Sequence, residues 1–431
     1  VKKLLTVVLF LVTFINISFA GGFQTGTQNA KAMGMGHAFV GMASDASAIY
    51  FNPAGLANLS GINFLAGTTL IMPTLEFIGP APGTLTTESV RRTFTPINFY
   101  GTYSMDNGFS FGVGVFNPFG LGSEWPADWR GKSLAVETEL RTFFINPTVA
   151  YKIHDMLQVG VGFNYIISNV LFYQVIDLPS IPLAPGVALP AAPNVGVNLE
   201  GDGKGAYTFN AGILFKPTED LSFGASYRHE AEIEFNGDLT FSNLPAKPTG
   251  FPVGHADLFP NGTGTAKLTM PYDFRFGLSY DAMDDLTFNA DFQLVGWSSY
   301  KELAVDFAKE TAALKDLKTK KNWDNAYSFK FGGEYRIDEF ALRAGYVFDA
   351  NPIPTMYMDP SLPGGNRHEF TVGVGYQITK NLRADVAYQF ISFENNVKDS
   401  ALPQIKGFPV MFNGVYKNLT NLFGVNLGYN L

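Results

Sequence analysis

Phe370-Thr371-Val372-Gly373-Val374-Gly375-Tyr376-Gln377-Ile378 places Phe370, Val372, Val374, Tyr376 and Ile378 on one face and Thr371, Gly373, Gly375 and Gln377 on the other. A period of two is the pattern of a β-strand with one apolar and one polar side. The next run repeats it: Leu382, Ala384, Val386, Tyr388 and Phe390 alternate with Arg383, Asp385, Ala387 and Gln389. Upstream, Tyr327, Phe329, Phe331 and Tyr335 alternate with Ser328, Lys330, Glu334 and Arg336, and residues 207–215 behave the same way. A soluble sandwich also alternates. Here the polar face carries Gly, Asn, Lys, Arg, Asp and Glu, which suits a wet or packed lumen, and the apolar face carries Phe and Tyr near strand ends, which suits interfacial girdles.

Working outward, the alternation predicts fourteen strands: 62–72, 94–103, 108–116, 137–153, 157–178, 204–216, 220–240, 263–280, 285–298, 323–336, 339–349, 368–378, 382–393 and 418–431. Every second connection is a short turn, at 104–107, 154–156, 217–219, 281–284, 337–338 and 379–381. The others run to roughly eighteen to twenty-five residues. Strict interleaving of short and long connections is the habit of outer-membrane barrels, with short periplasmic turns and long external loops. The expected fold is therefore all-β, a transmembrane antiparallel β-barrel of residues 62–431 with both termini periplasmic. Residues 156–176 are uncharged enough to pass for a helical span, but Gly160, Gly162 and Asn164 at alternate positions favour a strand.

Composition agrees. Of 431 residues only 16% are charged, 15% are aromatic, and there are 40 Phe, 19 Tyr and 45 Gly. Such a chain can bury a core, which excludes disorder. Net charge −8 argues against nucleic-acid binding. The absence of Cys removes disulfides, thiolate metal sites and Cys nucleophiles together. At the N-terminus, Lys2-Lys3, an apolar run from Leu4 to Ile17 and Ser18-Phe19-Ala20 read as a secretory signal over residues 1–20. Without it the chain has 28 basic and 38 acidic residues, net −10.

Residues 21–61 do not alternate, and a closed barrel offers no edge for them, so they belong in the lumen or the periplasm. Among the long loops, residues 179–203 look irregular and rich in Pro and Ala, residues 300–320 have helical spacing, and residues 123–136 hold Trp125 and Trp129.

Gly22-Phe23-Gln24, Ala32-Met33-Gly34-Met35-Gly36-His37-Ala38-Phe39, Asp45-Ala46-Ser47-Ala48 and Asn52-Pro53-Ala54-Gly55-Leu56 resemble the start of the FadL-type outer-membrane transporters of long-chain fatty acids and other hydrophobic molecules. The likeness continues through Asn117-Pro118-Phe119-Gly120-Leu121, Trp129-Arg130-Gly131-Lys132, Asn146-Pro147 with Ala150-Tyr151-Lys152, and Leu342-Arg343-Ala344-Gly345-Tyr346 before Pro352. It covers essentially the whole mature chain. The resemblance implies fourteen strands and an N-terminal lumenal hatch, here 21–61, carrying Asn52, Pro53 and Ala54. It implies a kink in the third strand that opens the wall laterally, here Gly108, Gly112 and Gly114 followed by Asn117 and Pro118. It also implies two loops forming a hydrophobic groove, with Trp125, Trp129, Leu303 and Phe307 as ligand-binding candidates. One departure is the end, Tyr429-Asn430-Leu431, where many such barrels finish in an aromatic residue.

A fatty-acid carboxylate would meet a lumenal cation by a charge-assisted bond. Lys330, Arg336, Arg343 and Arg383 lie on polar faces, and the competing reading is an ion-pair ladder with Glu334 and Asp385. An enzyme is not expected. The five His are scattered and none has zinc-helix spacing. Gly108-Phe109-Ser110-Phe111-Gly112 matches G-x-S-x-G by letter but lies inside a strand, without the strand–turn–helix elbow. Gly34-Met35-Gly36 opens no dinucleotide fingerprint. The reading is thus passive uptake of hydrophobic molecules, with a general diffusion porin or an outer-membrane lipid hydrolase as alternatives. It involves no cofactor and no metal. The expected partners are a hydrophobic small molecule, outer-membrane lipid and the barrel assembly machinery, and the expected state is a monomer.

Overall fold

The computed structural model describes residues 22–402 and 412–431. The expected secretory signal, residues 1–20, lies outside the described residues. No helix among the described residues is long and apolar enough to cross a membrane. The strands are β1 (Gly61–Ile78), β2 (Ile97–Ser104), β3 (Phe109–Phe116, then Gly120–Glu124), β4 (Glu137–His154) and β5 (Leu157–Leu178). Next come β6 (Ala192–Gly203, then Ala206–Phe215), β7 (Leu221–Arg228, then Ala231–Ser242), β8 (Gly262–Met270, then Asp273–Met283) and β9 (Leu286–Val295, then Glu302–Phe307). The last are β10 (Leu317–Lys320, then Ala326–Ile337), β11 (Phe340–Asp349), β12 (Arg367–Gln377), β13 (Leu382–Val397) and β14 (Gly414–Asn430). Each pairs antiparallel with the next, and β14 closes on β1 from Asn63↔Asn430 to Ile78↔Val415. Closure removes the sheet edges. Both chain ends of the barrel lie at the short-turn end.

Outward residues are apolar: Phe370, Val372, Val374 and Tyr376 on β12, and Val161, Phe163 and Ile167 on β5, are all exposed. Aromatic pairs mark the two rims of this band. Phe109–Tyr151 and Phe340–Tyr376 lie toward the short turns, with centroids 4.5 and 4.8 Å apart. Tyr165–Tyr207 and Tyr346–Phe370 lie toward the long loops, at 5.4 Å each. Such girdles sit at membrane–water boundaries because the rings are amphipathic.

Two loop expectations are corrected. Residues 300–320 are not helical: Glu302–Phe307 pairs with Gly264–Ala266 of β8 and with Leu317–Lys320. Leu303, Val305 and Phe307 also fit a period of two, and a free ladder edge on β8 decides between the periods. Nor is 179–203 wholly irregular. Ala192–Gly203 is the long-loop half of β6, paired with β5 on one side and β7 on the other. A hairpin, Ile181–Ala184 with Val187–Leu189, precedes it. Prolines 182, 185, 190 and 193 masked the signal by crowding the approach to the strand.

Candidate functional site

Residues 22–60 pack on the inward faces of the strands. Two short helices, α1 (Ala30–Gly34) and α2 (Ala48–Phe51), and a 3₁₀ turn (Pro53–Asn58) carry them. Two of the three starts are capped by sequence: at α1 Asn29 Oδ1 accepts from Lys31 N at 2.7 Å, and at the 3₁₀ turn Asn52 Oδ1 accepts from Ala54 N at 3.2 Å with Pro53 at the first position. Asn52 also donates to Val40 O at 3.1 Å and to Ile213 O of β6 at 3.0 Å, so one side chain ties two turns of the segment to the wall. Asp291 of β9 accepts from Phe39 N and Val40 N at 2.8 and 2.9 Å. The wall is glycine at several of the points where the segment lies against it. A Cβ on Gly160 would lie 2.4 Å from Pro53 C, on Gly212 2.1 Å from Asn52 Oδ1, and on Gly332 2.1 Å from Met35 O. Inward glycines thus let backbone lie on backbone.

The third strand is interrupted. Ser110–Val115 pairs with Phe99–Ser104 of β2 and Phe109–Phe116 with β4. Beyond Asn117-Pro118-Phe119, Gly120–Glu124 pairs only with Glu137–Arg141 of β4 among the described residues. Proline has no N–H for the ladder. Asn117 turns the strand, its Oδ1 accepting from Ile97 N at 3.0 Å. The gap between β2 and the outer part of β3 is spanned by residues 89–96, held by Val90 N→Glu124 O (2.8 Å) and Phe94 N→Ile71 O (2.9 Å). Phe94 covers the space above Gly122, where a Cβ would lie 2.0 Å from the ring. From inside, Thr25 N donates to Pro118 O at 2.9 Å and Gly120 N to Phe23 O at 3.0 Å.

A cavity of about 560 Å³ joins this gap to the lumen. Its inner end has His37, Tyr50, Gln293, Lys330, Arg367, Glu369 and Gln389; its middle has Phe119, Leu121, Phe94 and Leu140; its outer end reaches Ile97 and Phe143 on the outward face of the wall. Lys330 Nζ donates to Gln293 Oε1 at 2.6 Å and makes no ion pair among the described residues. Arg367 donates Nη2–H to Gly22 O at 2.8 Å and stands 3.8 Å from Asp349, with its buried Nε unpartnered. Burial first, then the neighbouring Lys330 ammonium, draw the His37 imidazole down to about 3, so the ring stays neutral.

The sequence candidates divide. Of the four cations only Lys330 lines the cavity. Arg343 lies between Glu334 and Asp385 at 2.7 Å each, Arg383 bonds Asp385 at 2.7 Å, and Arg336 stands exposed at the short-turn end, donating to Asp284 O at 2.7 Å. Trp125 and Trp129 stack on each other at 4.5 Å and are buried, bonded to Pro360 O and Ala135 O, so they face loop rather than cavity. Phe307 packs with Val197, Leu239, Val305 and Leu314. Leu303 lines a second cavity of about 60 Å³ beside Tyr300, Trp323 and the buried Lys321–Asp359 pair. Gly108 belongs to the turn before β3, with φ 87°. Gly112 and Gly114 lie in an intact ladder facing Ile49, and the interruption is at Asn117–Phe119. Ser110 donates to Ser104 Oγ at 2.9 Å. Arg367 and the 89–96 strap escaped the sequence reading, which began the second strand at Phe94 where the structure begins it at Ile97: Arg367 opens its strand as an unremarkable surface-type residue, and residues 89–93 have no periodicity.

Comparison with known proteins agrees with the barrel fold. Curated relatives include the long-chain fatty acid transport proteins of Salmonella typhi (25% identical, over 96% of this chain and 94% of that one) and Escherichia coli K12 (24%, 99% and 98%). Similar solved structures include a Pseudomonas aeruginosa FadL homologue (TM-score 0.78, 20% identical, 95% of this chain and 100% of that one) and the Ralstonia pickettii toluene transporter TbuX (0.71, 18%, 94% and 99%). Matched over residues 11–431 by the outer membrane protein transport protein model (OMPP1/FadL/TodX), the chain belongs to that family: it is an outer-membrane barrel that moves hydrophobic compounds, a transporter and not an enzyme.

Proposed function

We propose that this barrel carries long-chain fatty acids inward from the cell exterior, passively and as a monomer, with residues 22–60 as a plug and the β3 interruption as a lateral exit. The observation that carries the reading is one continuous cavity whose inner end holds Lys330 and Arg367 beside Glu369 and Asp349, and whose outer end reaches the apolar Ile97 and Phe143. Its volume is within the usual range for ligand pockets, about 300–1,000 Å³. A toluene-sized hydrocarbon needs no cation, whereas a carboxylate matches the unpartnered Nε–H of Arg367 and the unpaired ammonium of Lys330. The long-loop end is the exterior, and the small cavity beside Leu303 is the candidate entry position. The packed lumen disfavours a general diffusion porin.

The lateral route has an energetic reason. Each methylene moved into water costs about 0.8 kcal/mol, so a sixteen-carbon chain leaving through a wet periplasm faces on the order of 10 kcal/mol. A wall opening delivers it from pocket to lipid directly. Because the protein has no cysteine, the gap can be stapled cleanly. A Phe94→Cys, Gly122→Cys variant cross-linked by a short bis-maleimide is expected to lose uptake of labelled hexadecanoate while the uncross-linked variant retains it. Equal uptake by both forms would refute the lateral exit.

A further inference from the structure

A carboxylate that leaves Lys330 still has to go somewhere. An ionised carboxylate in hydrocarbon is strongly disfavoured, so chain and head must leave the gap at different depths. The outward residues of β4 from the short-turn end are Ile153, Tyr151, Val149, Pro147, Ile145 and Phe143, and the next is Arg141. That apolar run matches the roughly 9–11 residues of a membrane-crossing strand, which puts Arg141 at the outer headgroup boundary. Arg141 also pairs in register with Gly120, the first residue after the β3 interruption, and it lines the same cavity as Lys330. Its side chain is 58% exposed.

The arginine is only partly used. Its Nε–H is donated to Glu139, and its two terminal nitrogens make no hydrogen bond among the described residues. Arg92, close by, is occupied by Glu137 and stands 3.4 Å from both Glu124 and Glu139. The mouth therefore holds two arginines and three glutamates, with one guanidinium fork free. That fork matches a carboxylate bidentately. The acidic excess keeps the contact short-lived, which conduction requires: a site must be strong enough to enter and weak enough to leave.

Resting on the lateral-exit reading above, we infer that Arg141 is a second carboxylate station, a positioning residue that receives the acid head at the outer mouth while the chain slides into the outer leaflet. The cargo class it favours is a long-chain monocarboxylate over an alkane of equal length. The test compares initial uptake of labelled hexadecanoate and hexadecane in Arg141→Gln, Arg141→Lys and the unaltered protein. The acid-to-alkane ratio is expected to fall about tenfold in Arg141→Gln, the size of one lost charge-assisted bond, through the maximal rate rather than half-saturation. Arg141→Lys is expected to restore most of it. An unchanged ratio overturns the inference, as does an equal loss of both cargoes in both variants, which marks a wall-shaping role. If Arg141→Gln loses co-purified outer-leaflet phospholipid or lipid A with an unchanged ratio, the fork serves a lipid phosphate and the inference is likewise overturned. The stapled gap separates the two levels. If the staple fails to block either cargo, the lateral exit is wrong; if it blocks both while the ratio is indifferent to residue 141, only the carboxylate station is wrong.

Discussion

Lys321 and Asp359 form a buried ion pair in the long loops beside the small cavity. Burial alone would raise the Asp359 carboxyl, but the Lys321 ammonium and hydrogen bonds from Ser361 outweigh it and leave it below its ordinary 3.8. Burial alone would lower Lys321, but Asp359 and then Tyr300 hold it above its ordinary 10.5. The signs set a window. The depressed carboxyl contributes stability above 3.8 that is lost as pH falls through its folded value, and the raised ammonium contributes below 10.5 and loses it as pH climbs through its own. Protection of the 321–323 amides, taken against the intrinsic exchange rate at each pH, is therefore expected to hold between these limits and to fall outside them. Asp359→Asn, which strands the ammonium, is expected to weaken local protection by about 3 kcal/mol even at neutral pH. Flat protection across acid pH would count against the pair as the loop's anchor.

Strands were the legible elements, because alternation is written residue by residue: all fourteen were foreseen, and the β3 interruption sits at the quoted Asn117-Pro118. What alternation could not reveal was pairing beyond the lipid, where Glu302–Phe307 and Ala192–Gly203 take strand form because a neighbour offers a ladder. Nor could it tell which polar-face cation stays unpaired, since Arg343 and Lys330 have the same pattern and differ only in facing neighbours. Glycine parity is more informative than it first looked. Gly332 and Gly333 are adjacent on β10, yet a Cβ on Gly332 would lie 2.1 Å from Met35 O, while on Gly333 its nearest neighbour is at an ordinary 3.4 Å. Gly332→Val is thus expected to unseat the N-terminal segment and expose it to added protease, with heat-modifiable migration of the barrel retained. Gly333→Val, facing outward, is expected to behave as the unaltered protein. Equal protection in both variants would show that the segment is not held by close backbone approach at this wall.

At the scale of the whole molecule the question is what fills the barrel. Fourteen strands enclose more space than inward side chains can occupy, since about eight already suffice to leave an interior that side chains just fill. In this chain the remainder is taken by residues 22–60, mostly buried and bonded to β6 and β9 through Asn52 and Asp291. The wall helps by being glycine at several of the points where the segment lies against it, so side chains that would otherwise narrow the lumen there are missing from it. Removing the segment therefore cannot leave a small hole: it uncovers a glycine-lined lumen carrying polar and charged groups such as Asn210, Asp291 and Glu334, which water will enter. Deletion of residues 21–60 is expected to convert a barrel silent in planar bilayers into one with steady ion conductance, while strand pairing, which among the described residues uses that segment only in the bridge Gln24↔Phe119, keeps it folded. If a correctly folded deletion variant conducts no better than the intact protein, the closed state must be made by the long loops instead, and the plug reading of this segment falls.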